Sequence, residues 1–445
     1  MLGRYATIIL LLLAASHTRA DSVYGCSDLE TLRDRAVVEG EQATFFRVEP
    51  DLQMFHAFSR ETVADLAALS RALAGQGTTL IYAHLPTKSL VMPNDLPPAA
   101  AKFGFDVDLA TTLYDEDLRR LTEQKVVAPN LRRAMRAGAD EPPSMFRTDY
   151  RITSDGARRA AQAIADVIAA SDGFASLAKT HFATRSIGPL ILPSEMRTAL
   201  QRHCLVELPQ VEAEGFETPR LQAGTTRATN TIFASGAGGA GPGTGNGRIA
   251  LLGSEYSGEP AANLAGFLSE FTGLEVVEYS VTGGGSFAAI SSYLTSREFA
   301  QSHPTYLVWA NPVFDSLAAF GDQPMRELID ASAGNCPLDL PLLSGGGLDR
   351  ISADLSVLDQ GQSYTLLLDA EGSQASTARF DFLSGTGLTR TKQIFRHPDQ
   401  ARTGRFFMPM SGLWAEGAQL VEISLDVPLG PTIHVRACLQ GGGEP

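Results

Sequence analysis

Between residues 62 and 83 the hydrophobic pattern changes period. Val63, Leu66, Leu69 and Leu73 recur at three- or four-residue spacing, which predicts a helix over 62–74. Gly75-Gln76-Gly77 stops it. The run 78–83 (TTLIYA) is apolar without alternation, as expected of a strand buried on both faces. Helix, glycine stop and apolar strand form the unit of an α/β fold. The same alternation returns later. Ile249-Ala250-Leu251-Leu252 predicts a strand ending at Gly253, 261–271 a helix, 274–279 a strand, the stretch after Ser286 to Leu294 a helix, and Tyr306-Leu307-Val308-Trp309 a strand ending at Ala310-Asn311-Pro312. Upstream, Phe45-Phe46-Arg47-Val48 predicts a short strand, and 106–138 reads as helical with short breaks. A further helix opens at Thr153-Ser154-Asp155-Gly156 and runs to about residue 170.

Beyond Cys336 the period shortens to two. The segments 363–368, 379–382, 405–408 and 421–425 alternate and are separated by glycine turns, which predicts an all-β sandwich. The expected architecture is therefore α/β, a doubly wound parallel sheet, followed by that sandwich. The division is 21–335 and 336–445, with a glycine-rich loop at 234–247 (ASGAGGAGPGTGNG) inside the first part. That loop is not a phosphate loop, because no Gly-Lys-Ser/Thr follows it.

Charge and cysteines narrow the class. The 445 residues carry a formal net charge of -14, which argues against non-specific nucleic-acid binding. Within this acidic chain, cations collect in the β region: Arg379, Arg390, Lys392, Arg396, Arg402 and Arg405, with Trp414 nearby. A cationic face carrying an aromatic suits an acidic polysaccharide; an ordinary solvated sheet face has the same composition. Residues 1–20 read as a cleaved signal peptide: Arg4, an apolar core over 8–15, and Thr18-Arg19-Ala20 before Asp21. Four cysteines, none in a Cys-x-x-Cys, fit two disulfides in an exported protein and offer no metal site. Of three pairings, Cys26–Cys204 with Cys336–Cys438 brackets one predicted domain with each bridge.

Three predicted strands end in small polar turns: Ser254-Glu255, Gly283-Gly284-Gly285 and Asn311. In a doubly wound sheet such ends converge on one crevice. The amides of Gly283 and Gly284, with Asn311, are candidates for an oxyanion site. Asp149 and Arg151 alternate along a short extended segment ahead of a helix and suit the rim of that crevice. Lys88, just after a strand, reads as a solvated loop residue.

The segments FFRVEPDLQMFHAFS (45–59), TTLIYAHLPTKSLVMP (78–93), FRTDYRITSDGARRAA (146–161), LLGSEYS (251–257) and YSVTGGGSFAAISSYL (279–294) resemble alginate O-acetyltransferases of the AlgX/AlgJ type. The resemblance extends to the four-cysteine layout and the C-terminal sandwich. It implies a circularly permuted SGNH-hydrolase-like domain, a carbohydrate-binding sandwich and a periplasmic role in acetylating an alginate-like polymer. No metal or cofactor site rises above background in the sequence, and the expected partners are an acidic polysaccharide and other exopolysaccharide acetylation or secretion proteins. The resemblance also implies a Ser-His-Asp triad. Against that pattern Asp149 matches, while Arg151 stands in the histidine position and Glu255 in the serine position. Arginine does not exchange a proton at neutral pH, and an acyl-glutamate would be a mixed anhydride. The two replacements are complementary in charge, so an Arg151–Glu255 ion pair, with Asp149 also on Arg151, is expected to fill the site.

Three functions follow from this reading. The first is a catalytically degenerate protein that binds polysaccharide or acts as a scaffold. The second is an active O-acetyltransferase with an atypical nucleophile, Ser254 or Ser257. The third uses Asp149 and Glu255 as a glycosidase or lyase carboxylate pair. For the second, His84, His181 and His203 are the available bases, and their spacing recommends none of them.

Overall fold

A computed structural model describes residues 22–32, 35–54, 56, 58–138, 140–221, 247–334, 336–343 and 347–439. The predicted signal peptide and residues 234–246 of the glycine-rich loop lie outside them.

Four strands form a parallel sheet in the order Thr79–Leu85, Tyr306–Pro312, Arg248–Gly253, Glu275–Ser280. The period of two along each strand sends alternate side chains into two cores. Leu80, Tyr82, Ala250, Leu252, Leu307 and Trp309 enter one. Ile81, Ala83, Ile249, Leu251, Val308 and Ala310 enter the other. Each core is closed by helices, so the sheet is wound on both faces; its inner strands are largely apolar, while the edge strand Glu275–Ser280 is part-exposed and carries Glu275 and Glu278. On the first face lie Arg60–Gly75, through Val63, Leu66, Leu69 and Leu73, together with Ala288–Leu294 and Asp322–Ala333. On the second lie Ser154–Ala169, through Ala157, Ala161, Ile164 and Ile168, and Leu264–Thr272. The helices Arg60–Gly75 and Ser154–Ala169 start on hydroxyl caps: Ser59 accepts from the Thr62 amide and Thr153 from the Gly156 amide, each at 3.1 Å.

The acidic stretch around residues 207–217 contains a strand as well as loop. Val211–Glu217 pairs antiparallel with Arg185–Leu192, burying Val211 and Ala213 and exposing Glu212 and Glu214.

The sandwich follows. One sheet has the order Leu342–Leu343, Arg350–Asp354, Ala418–Leu425, Thr377–Ser384, Thr389–Phe395. The other has the order Arg405–Pro409, Tyr364–Ala370, Ile433–Leu439, Leu338–Asp339. All pairings are antiparallel. Leu366, Leu368, Phe380, Phe382, Met408 and Ile423 fill the space between the sheets. Leu367 and Phe407, on the opposite side of their strands, pack into the α/β core instead. The sandwich is thus fused to the helix Asp322–Ala333.

The structure joins Cys26 to Cys204 and Cys336 to Cys438. Two disulfides point to an oxidising compartment. Among the described residues no helix is long and apolar enough to cross a membrane.

Candidate functional site

The chain leaves the strand Arg248–Gly253 in a tight turn. A Cβ on Gly253 would lie 2.0 Å from Ser257 Oγ and 3.0 Å from the Ala310 carbonyl, so only glycine fits. The Ser254 carbonyl accepts from the amides of Ser257 and Gly258, at 3.1 and 3.0 Å. Ser257 Oγ is engaged by the Ser254 carbonyl and by Ser280 Oγ, at 3.2 and 3.1 Å, and serves the turn. Ser254 Oγ is buried and has no hydrogen-bond partner among the described residues.

Glu255 projects from this turn towards the next strand end. Its carboxylate accepts the Gly283 amide at 3.1 Å. Gly283 has a φ of 71°, which favours glycine and aims that amide outward. The neighbouring Gly284 amide closes its own turn on the Val281 carbonyl at 3.1 Å. Of the two backbone amides expected as oxyanion donors, one therefore holds a carboxylate and the other is spent in the backbone. Asn311 is buried: Nδ2 donates to Tyr82 Oη and to the Asp315 and Pro312 carbonyls, at 3.1, 3.1 and 3.3 Å. Its Oδ1 has no partner among the described residues. Burial, and then the charge of Glu255, push the Asp315 carboxyl up from its ordinary range.

Asp149 and Arg151 sit in a turn, not in an extended segment. The turn is closed by the bridge between Met145 and Ile152 and by the Phe146 amide on the Arg151 carbonyl at 3.1 Å. Arg151 grips Asp149 with two nitrogens, Nε on Oδ1 at 2.9 Å and Nη2 on Oδ2 at 3.0 Å. Nη1 meets Glu259 at 2.8 Å, and Nη2 also reaches the Pro193 carbonyl at 2.8 Å. The expected Arg151–Glu255 pair is corrected here: Glu259, four residues further on, takes the guanidinium, while Glu255 turns to the Gly283 amide. Burial pushes the Asp149 carboxyl up, but hydrogen bonds from Arg151 and Ser194 outweigh it and hold Asp149 below the usual carboxylate range.

Lys88 also departs from expectation. It is 1% exposed. Its ammonium faces the carbonyls of Phe45, Phe146, Arg147 and Asp149, at 2.8, 2.6, 2.9 and 3.1 Å. Three N–H donors serve four acceptors, so at least one is shared. Lys88 thus ties the turn that carries Asp149 to the end of the strand Thr79–Leu85. Burial pushes the ammonium down to about 7, and the charges of Asp51 and Asp149 act against that fall.

Sequence reasoning missed a second layer. Arg47 donates to Asp51 through Nε and Nη2, both at 3.1 Å, and to Tyr256 Oη at 3.0 Å. It lies over the rings of Tyr150 and Phe314 at 4.9 and 5.2 Å. This cluster packs the underside of both turns and leaves almost no space there. Its signal was the run Phe45-Phe46-Arg47-Val48, where one cation interrupts an otherwise apolar stretch. None of the three histidines approaches the site through a hydrogen bond to Ser254 or Ser257 among the described residues. His84 is enclosed by Phe58, Tyr82 and Tyr114, and burial pushes it down to about 3.

The cations of the sandwich do not form one open face. Arg396 is buried and paired with Glu327, both contacts at 2.5 Å. Arg405 donates to the Thr295 and Ser296 carbonyls at 3.3 and 3.2 Å, across the seam between the two parts. Lys392 reaches the Pro409 carbonyl at 2.9 Å, and Arg402 the His397 and Pro398 carbonyls at 2.9 and 3.3 Å. Arg390 pairs with Glu416 and Arg379 with Asp381. Trp414 donates to the Gln362 carbonyl at 3.1 Å and meets Tyr364 edge-on. Arg396 is thus withdrawn from any exposed face, and the other cations are held by backbone carbonyls or by nearby carboxylates.

Comparison with known proteins agrees with the fold. A family model described as an SGNH hydrolase-like domain, acetyltransferase AlgX, matches residues 37–313, more than half of the chain. The chain is 30% identical over 273 residues to the alginate biosynthesis protein AlgX of Pseudomonas aeruginosa, covering 61% of this chain and 55% of that protein. It is 27% identical to the Azotobacter vinelandii protein of the same name, covering 69% of this chain and 61% of that one. The match thus spans little more than half the length of these relatives. A solved structure of Pseudomonas aeruginosa AlgX superposes with a TM-score of 0.73 at 23% identity, covering 94% of this chain and 97% of that one. The O-acetyltransferase domain of Pseudomonas putida AlgJ superposes with a TM-score of 0.51 at 21% identity, over 66% of this chain and 98% of that one.

Proposed function

Because the chain belongs to the acetyltransferase AlgX family of SGNH hydrolase-like domains, we propose that it serves the acetylation of an acidic, alginate-like exopolysaccharide in the periplasm without catalysing acyl transfer itself. In this reading it binds the polymer and works as a scaffold for other acetylation or secretion proteins. The observation that carries the reading is the saturation of the site. Asp149 is held by a guanidinium that takes no proton, and the Gly283 amide already holds the Glu255 carboxylate. An acyl acceptor there would have to displace a charge-assisted hydrogen bond and would find no base beside it.

One observation favours a second reading, an active O-acetyltransferase with Ser254 as nucleophile: the buried Ser254 Oγ lacks a partner among the described residues. Acyl capture separates the two. The protein is incubated with an aryl acetate and its intact mass is read. The proposal expects no acetyl adduct on residues 254–257. An adduct mapped to Ser254 that disappears in Asp149→Ala overturns it.

A further inference from the structure

In the sandwich, Lys392 and Arg402 lack acidic partners among the described residues but are turned to backbone carbonyls; three exposed arginines without acidic partners lie in the α/β part. A groove of about 550 Å³ runs along the segment 191–202, between the strand Arg185–Leu192 and the helix Glu195–Gln201. A hollow of about 240 Å³ adjoins it, with Gln210 in the wall of both. Arg35 and Arg202 line the groove and Arg147 the hollow; all three are exposed. Among the described residues none of the three forms an ion pair, and Arg147 reaches only the neutral amide of Gln42, at 2.5 Å. Arg197 also lines the groove, but it is turned to the Leu208 and Pro209 carbonyls. Glu195 and Glu212 are the acidic side chains in the two walls, so the lining is net cationic in a chain of net charge -14. Ile191 and Pro193 supply an apolar wall to the groove, and Tyr24 an aromatic one to the hollow.

The groove is continuous with the site described above. Pro193, in its wall, accepts from Arg151, the arginine that grips Asp149. Spaced exposed guanidinium groups beside apolar and aromatic walls fit a linear polymer that carries one carboxylate per sugar ring. Guanidinium groups bind carboxylates bidentately, and the walls pack against the ring faces. We infer that this groove, and not the sandwich, holds the polyuronate chain, with Arg35, Arg147 and Arg202 reading its carboxylates. The inference rests on the polymer-binding reading and gives it a location.

The test is a calorimetric titration of the full chain with short mannuronate oligomers. It is repeated on Arg35→Gln/Arg202→Gln and on Arg390→Gln/Lys392→Gln, with thermal melting as a folding control. The groove variant is expected to bind about tenfold more weakly, as losing two partly solvated ion contacts predicts. It should melt like the wild type, and the sandwich variant should bind like the wild type. Wild-type affinity should fall as salt rises from about 50 to 300 mM. Binding that the groove variant retains in full overturns the groove and leaves the functional reading standing. Failure of the wild type to bind overturns both. Equal affinity for an uncharged glucan oligomer overturns the carboxylate assignment.

Discussion

Arg396 and Arg151, like Arg47, each grip a buried carboxylate with two nitrogens, and the surroundings of these two differ. Arg396 and Glu327 are 4% and 2% exposed. Glu327 also accepts the Phe407 amide, and Arg396 lies 4.8 Å over the Phe406 ring. That pair joins the last helix of the α/β part to the sandwich and is sealed from water. Arg151 grips Asp149, only two residues away, and adds Glu259 from a distant turn; Arg151 is 12% and Glu259 14% exposed. One pair organises a seam between two halves of the fold. The other ties the turn carrying Asp149 to Glu259 and to the Pro193 carbonyl, beside the turn that follows the strand Arg248–Gly253. A buried ion pair in a seam is part of the scaffold, whereas one beside a strand-end turn takes up space that chemistry would need.

The largest effect is expected in the seam. Glu327→Ala leaves Arg396 buried without its counter-charge, and a loss of about 3–5 kcal/mol in stability is expected, read by chemical denaturation. Loosening confined to a few degrees of melting temperature would break the distinction drawn here. The effect of Arg151→Met should be smaller, about 1–3 kcal/mol, because Asp149 keeps the hydrogen bond from the backbone amide of residue 151 and water can reach the rim. The smallest change is in its pH dependence. Asp149 is held below its ordinary value of 3.8, so the pair contributes stability above that pH and loses it as the carboxylate protonates on acidification. The gap in melting temperature between wild type and Arg151→Met should therefore be full at pH 7 and narrow below pH 3.8. A gap that does not change with pH would mean the arginine acts by packing alone.

Much of this was legible in the sequence, because the sheet is built from local pattern. Ile249 to Leu252 is a continuous apolar run, and a strand covered on both faces demands that. The segments that carry Arg151 and Glu255 were recognisable too. Partners were not. A lysine after a strand is usually solvated; Lys88 is buried because the chain brings four carbonyls to it from 43 to 61 residues away. Nothing local chooses Glu259 over Glu255 as the partner of Arg151. The choice is made by a turn in which Gly283 aims its amide at Glu255. The sandwich arginines show the same limit: sequence counts charges, and only packing decides which remain available.

The claim that the site no longer transfers acyl groups is tested most directly by steady-state hydrolysis of a chromogenic acetate ester, with wild type, Asp149→Ala and Glu255→Ala assayed side by side. The account predicts that all three hydrolyse the ester at one background rate. A wild-type rate well above background that Asp149→Ala abolishes would contradict it, and would place a working nucleophile in the turn at Ser254.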